Sequence, residues 1–225
     1  MARADPAGRD ERRTAVLISG RGSNLQALIE SCRRPGASAS IALVVSNVPG
    51  ARGLELAKAA GIATRVIDHR AFGGRREFEE ALSEALETSD IELICLAGFM
   101  RVLSSWFVER WRDRLLNIHP SLLPAFPGLG THERALDAGV RLHGCTVHFV
   151  RTELDAGPIV VQGAVPVRPD DTAESLAARM LEVEHRCYPL ALELVASGRA
   201  RVIDERVVIE GAKAPDAVLI NPPHC

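Results

Sequence analysis

The sequence predicts an α/β chain: a doubly wound, mostly parallel sheet flanked by helices in a Rossmann-like arrangement, with a long C-terminal helix and an edge hairpin. Three observations carry the prediction. Apolar runs at 14–19, 41–46 and 91–99 have no polar alternation, as strands buried on both faces require. Between such runs apolar residues recur with a helical period, as at Phe78, Leu82, Ala85 and Leu86. The first run also ends in Gly20-Arg21-Gly22-Ser23-Asn24, a glycine turn that opens straight into a helical pattern.

Composition bounds what the chain does. The 225 residues are 47% hydrophobic and 25% charged, enough apolar material for the core of one domain, placed at 14–210. A net charge of −2 does not advertise a nucleic-acid partner. The five cysteines lack Cys-x-x-Cys or metal-like spacing, so they read as reduced thiols of a cytoplasmic protein without a metal. No apolar segment has the ~18 residues that a membrane span needs. Residues 1–13 are polar, with no apolar stretch to make a signal peptide, and read as a disordered lead-in. The tail, 211–225, receives no assignment.

The elements follow in order. After the strand at 14–19 comes a helix from Leu25 to Cys32, and free N–H groups at its start favour a phosphate. The third glycine of a dinucleotide fingerprint is replaced by Leu25, and the next strand, 41–46, ends in Ser46-Asn47 without a ribose-holding acid. A phosphate site is expected, a nicotinamide site is not; Ser23 or Asn24 would also serve as a helix cap with no ligand, and capping and phosphate binding are compatible. A helix at 51–60, a short strand at 64–68 and a helix at 75–88 precede the central strand 91–99. A short helix at 104–111, a strand at 115–119 and a helix at 131–138 follow. Strands at 143–150 and 159–167 come next, the second one antiparallel. Asp170 or Asp171 starts a helix to about 196, with Asp171 and Glu174 spaced as a capping box and a kink expected at Pro189. Residues 200–210 form the hairpin.

The stretch Asn117-Ile118-His119-Pro120-Ser121-Leu122-Leu123-Pro124 stands apart. Asn117 and His119 share one face of a strand, and Pro120 stiffens the backbone where that strand becomes a loop. An amide and an imidazole are thus held together at a strand end, where open α/β sheets place their chemistry. A structural histidine at a strand end would satisfy the same spacing.

This segment resembles the signature of the folate-dependent formyltransferases, most closely the branch that formylates phosphoribosylglycinamide (GAR). Gly-x-Gly-Ser-Asn at 20–24, Ala97-Gly-Phe-Met-Arg-Val-Leu103 and Leu154-Asp155-x-Gly157-Pro158 are similar as well, so the resemblance covers about 14–210. It implies that Gly22, Ser23 and Asn24 hold the ribose phosphate of GAR and that Glu184 grips its ribose or amide. It implies that Met100, Arg101, Val102 and Leu103 line the pterin slot of 10-formyltetrahydrofolate, and that Asn117 and Arg75 also meet the folate, with Arg76 one place away as the competing assignment. Asn117, His119 and Asp155 would be catalytic. On residues alone, Asp155 is one more acid in an ordinary turn, Asp-x-Gly-Pro.

The implied chemistry is attack of the GAR amine on the formyl carbon, which puts negative charge on the formyl oxygen. Asn117 and His119 would donate to that oxygen; Asp155 would favour the imidazolium and accept the amine's proton, directly or through water. Acid–base assistance contributes about 10²–10⁴-fold and one oxyanion donor about 10²–10³-fold. The partners are then two small molecules, with a monomer or homodimer as the active form. A tRNA-formylating relative is disfavoured by the charge and by the lack of room for a tRNA-binding domain. A formyltetrahydrofolate hydrolase and a non-enzymatic phosphate-binding module are the competing readings.

Overall fold

The computed structural model describes residues 11–213, 216 and 218–222. The lead-in at 1–10 and the tail residues 214, 215, 217 and 223–225 lie outside the described residues. The strands are β1 (Arg12–Ile18), β2 (Ala39–Ser46), β3 (Ala63–Val66), β4 (Leu93–Leu96), β5 (Leu115–His119), β6 (Leu142–Phe149) and β7 (Ile159–Pro166). The helices are α1 (Ser23–Cys32), α2 (Arg52–Ala59), α3 (Arg75–Glu87), α4 (Ser105–Arg110), α5 (Thr131–Asp137) and α6 (Ala173–Ala196).

One seven-stranded sheet has the order β3-β2-β1-β4-β5-β6-β7. The chain winds outward from β1 to β3, returns to β4 beside β1, and winds the other way. The strand order therefore reverses at β1 and β4, where such sheets open a crevice at their C-terminal ends. Pairing is parallel as far as β5 and antiparallel for β5–β6 and β6–β7. β7, antiparallel to β6, therefore runs in the same direction as β1–β5, and the reversal expected at 159–167 falls one strand earlier, at β6. The antiparallel β6 differs from a simple continuation of the winding, and it places residues near 148 opposite Asn117.

The strand period of two sorts side chains to the two faces. Along β1, Val16 and Ile18 join a core with residues of α1, α2 and α6, while Ala15 and Leu17 join another with residues of α3 and α4. Tyr188 on α6 is fully buried, its hydroxyl 3.0 Å from the Leu96 carbonyl and 3.1 Å from the Leu116 carbonyl. That contact ties the long helix to the ends of β4 and β5, beside Asn117.

Two details correct the sequence reading. β1 begins at Arg12, two residues inside the expected lead-in, because Arg13 donates from its backbone to Glu92 and from its guanidinium to the Ser89 carbonyl. The capping box of α6 is Thr172 with Ser175, not Asp171 with Glu174. Asp171 instead pairs with Arg179 at 2.6 Å, and that guanidinium holds its carboxyl well below the usual range. Pro189 lies inside this helix, which spans Ala173–Ala196. The hairpin forms its own two-stranded sheet, Ala200–Ile203 with Arg206–Ile209 (β8 and β9), packed against α6 and edge strand β7. Its two turn residues, Asp204 and Glu205, have positive φ, the geometry that matches strand twist in a two-residue turn. No helix among the described residues is long and apolar enough to cross a membrane.

Candidate active site

At the end of β1 the chain needs a sharp change of direction with its N–H groups left free. Gly22 supplies it at φ 82°, serving as the N-cap of α1 with no side-chain cap. Ser23 and Asn24 are therefore inside the helix rather than capping it. A Cβ on Gly22 would stand 2.8 Å from the Gly53 Cα, so only glycine allows α2 to pack this close. The first backbone amides of α1 point outward with the positive end of the helix dipole behind them. Asn24 Nδ2 donates to Glu184 Oε2 at 2.7 Å, while Asn24 Oδ1 is buried without a partner among the described residues. Burial pushes the Glu184 carboxyl up, and the bond from Asn24 opposes that rise. An orphaned acceptor beside a half-buried acid, next to free helix amides, fits a ligand with a phosphate and hydroxyl or amide groups.

The segment after β4 is pinned at two points. Met100 donates its backbone N–H to Ser19 Oγ at 2.8 Å, and Ser19 donates in turn to Asn47 Oδ1 at 2.6 Å. Ser104 donates its backbone N–H to the buried Glu79 at 2.7 Å, and its hydroxyl bonds the same carboxylate. Between these pins, the backbone groups of Arg101, Val102 and Leu103 make no hydrogen bond to any described residue. Met100, Arg101 and Val102 are exposed, whereas Leu103 turns its side chain into the core. A flat heterocycle with its own donors and acceptors would find free backbone groups here. Arg76 lies over the Trp106 ring at 3.8 Å and pairs with Glu80 at 2.5 Å. Arg75, exposed at the start of α3, has no ion pair with a described residue, so it is the freer of the two arginines.

The third group assembles around β5. His119 is 6% exposed, and its Nδ1 faces Asp155 Oδ2 at 3.4 Å. Its Nε2 lies 2.9 Å from the Phe126 carbonyl. Both ring nitrogens thus face oxygen acceptors, and an imidazolium donates to both. Asp155 adopts φ 53° and accepts the Gly128 N–H at 2.8 Å. Two residues on, a Cβ at Gly157 would collide with the Phe149 carbonyl, so a glycine there lets the Asp155 loop lie against β6.

His148 belongs to this cluster and was missed as a site residue, because its alternation with valines reads as core. Its Nδ1 donates to its neighbour's carbonyl, Phe149, at 3.0 Å. That leaves Nε2 as acceptor for Asn117 Nδ2 at 3.3 Å and 3.9 Å from Asp155 Oδ1. Burial pushes the His148 ring down, towards the neutral form that this pattern needs. His148 therefore orients the Asn117 amide. The signal for it is register: Asn117 and His148 are direct partners across the antiparallel pair. Asn117, His119, His148 and Asp155 form one polar group, knit by the contacts just described. Among the described residues no cluster of three or more histidine, cysteine or acidic side chains is arranged to hold a metal ion.

The open α/β sheet carries free helix amides at one strand end and an amide–imidazole–carboxylate cluster at another. Residues 12–192 match the family model described as formyl transferase, and the chain belongs to that family. It is 44% identical to phosphoribosylglycinamide formyltransferase of Escherichia coli (strain K12), over 89% of this chain and 94% of that protein. It is 57% identical to the trifunctional purine biosynthetic protein adenosine-3 of Gallus gallus over 84% of this chain, spanning only 19% of that longer protein. The crystal structure of glycinamide ribonucleotide transformylase 1 from Symbiobacterium toebii superposes with a TM-score of 0.86 at 46% identity, covering 89% of this chain and 94% of that one.

Proposed function

We propose that the chain transfers the formyl group of 10-formyltetrahydrofolate to the amine of GAR in purine biosynthesis. The observation that carries this reading is the meeting of Asp155 and His119 at 3.4 Å beside Asn117, from segments remote in sequence. In the proposed reaction the formyl oxygen takes the place of the Phe126 carbonyl at His119 Nε2, and Asn117 donates a second hydrogen bond. Donors fixed before the charge develops are worth about 10²–10³-fold each. Asp155 holds the imidazolium and takes the proton released by the amine, and that proton passes to the folate N10 as the tetrahedral intermediate collapses and the bond from the formyl carbon to N10 breaks.

Gly22, Ser23 and Asn24 hold the phosphate, and Glu184, oriented by Asn24, binds the ribose or amide of GAR. The free backbone of Arg101, Val102 and Leu103 meets the pterin, with Met100 lining the same slot and Arg75 also contacting the folate. The reaction needs no metal. The enzyme works in the cytoplasm as a monomer or homodimer.

The test is absorbance of the folate product after mixing with 10-formyl folate, with and without GAR. Product only with GAR is expected. Product at the same rate without GAR would mean hydrolysis by water and would overturn the reading. No product in either sample, with GAR still bound, would reduce the chain to a phosphate-binding module.

A further inference from the structure

A cleft of about 810 Å³ lies away from His119, between α1, the start of α2 and the outer face of α6. Its volume falls in the range of small-molecule sites, roughly 300–1,000 Å³. Arg21, Arg34, Arg52 and Arg186 line it, and none forms an ion pair with a carboxylate among the described residues. Two carboxylates also line it, and both are engaged. Glu30 accepts from Gln26 Nε2 at 2.6 Å. Glu193 accepts the Ser38 N–H and hydroxyl at 2.9 and 2.6 Å. Four guanidiniums against two bonded carboxylates leave this cleft positive in a chain whose net charge is −2.

The cleft is long rather than round. Asn24 touches Glu184 at one end of the α1–α6 contact and Ser38 touches Glu193 at the other, so the two helices run alongside each other. Ten residues of α1 span about 15 Å at ~1.5 Å per residue, so Arg21 and Arg34, beyond its two ends, cannot meet on a single phosphate. The walls also carry Ala27, Leu56, Pro189 and Leu190, with Leu190 51% exposed. His185, another lining residue, has its Nε2 buried without a hydrogen-bond partner among the described residues.

We propose that this cleft binds a nucleoside polyphosphate. The phosphates lie at the Arg21–Arg52 end against the first turn of α1, and the base lies on Pro189 and Leu190 within reach of Arg34 and Arg186. Because Ser23 lines the cleft and also begins α1, a nucleotide there excludes the phosphate of GAR. That competition rests on the function proposed above; binding to the cleft does not.

Calorimetric titration of the full chain with ADP, pyrophosphate and adenosine, each alone, tests the proposal without any turnover. ADP is expected to bind one to one, pyrophosphate more weakly and adenosine least. The double variant Arg34→Gln/Arg186→Gln is expected to weaken ADP about tenfold or more, as loss of charge-assisted contacts does, while formyl transfer at saturating GAR and the GAR KM stay unchanged. No heat with ADP, or an ADP affinity untouched in the double variant, would overturn the proposal. Pyrophosphate binding as tightly as ADP would remove the base from it and leave a bare polyphosphate site. If ADP binds but does not compete with GAR, the shared first turn is wrong, whatever the transferase activity.

Discussion

The two ends of the crevice are built in opposite ways. At β1 the groups proposed to meet ligand are backbone amides of one short stretch, released by Gly22, against which Gly53 of α2 packs closely. At β5 they are side chains from three segments, Asn117 and His119 on one strand, His148 on the next and Asp155 in the loop beyond, brought together by antiparallel pairing. The first depends on local geometry and the second on tertiary packing. A local device tolerates changes elsewhere but not at its glycine; an assembled cluster fails when any member is lost.

The largest effect expected is at the assembled end. His119→Ala and Asp155→Asn should each lower turnover at least about a hundredfold, with the folded state retained by circular dichroism. A residual activity above a tenth of wild type in either variant would remove that residue from the mechanism. At the local end, Gly22→Ala forces a side chain into left-handed backbone and against Gly53, so GAR KM should rise at least about tenfold and stability fall by roughly 1–2 kcal/mol in urea unfolding. A normal KM there would break the comparison.

Glu184 belongs to the local end through its bond from Asn24, and its response is to pH. Burial raises its carboxyl in the folded state, so the protonated form is favoured and its contribution to stability is present at low pH and lost as pH rises through the raised folded value. Glu184→Gln should therefore raise Tm relative to wild type on the alkaline side of that value, and the difference should vanish below the ordinary carboxylate range near ~4.3. The same variant should raise the GAR KM. A Tm difference constant across pH would show that the buried carboxyl does not titrate as described. The smallest effect belongs to the distant helix start: Thr172→Ala removes the α6 cap and should cost about 1 kcal/mol in unfolding free energy with turnover unchanged.

What was legible in the sequence follows the same division. The glycine turn, the buried strands and the long helix depend on neighbouring residues, and they stand within a few residues of where periodicity put them, as with Ala173–Ala196 against 172–196. The cap of α6 was misplaced because Asp171 has the right spacing to Glu174 but a better partner in Arg179. The direction of β6 was illegible, since an apolar run carries no sign of which way it pairs. With that direction unknown, His148 could not be set opposite Asn117. Asn117 and His119 share a face by strand period alone, but Asp155 came from resemblance rather than spacing, because only the closed loop brings it to His119.

The most direct test of an assembled cluster is single-turnover formyl transfer in His119→Ala, Asp155→Asn and the double variant. Groups acting as one unit lose together, so the double variant should be about as slow as the slower single variant. Losses that multiply, with the double variant slower by the product of the two, would show that His119 and Asp155 act independently and would contradict the account.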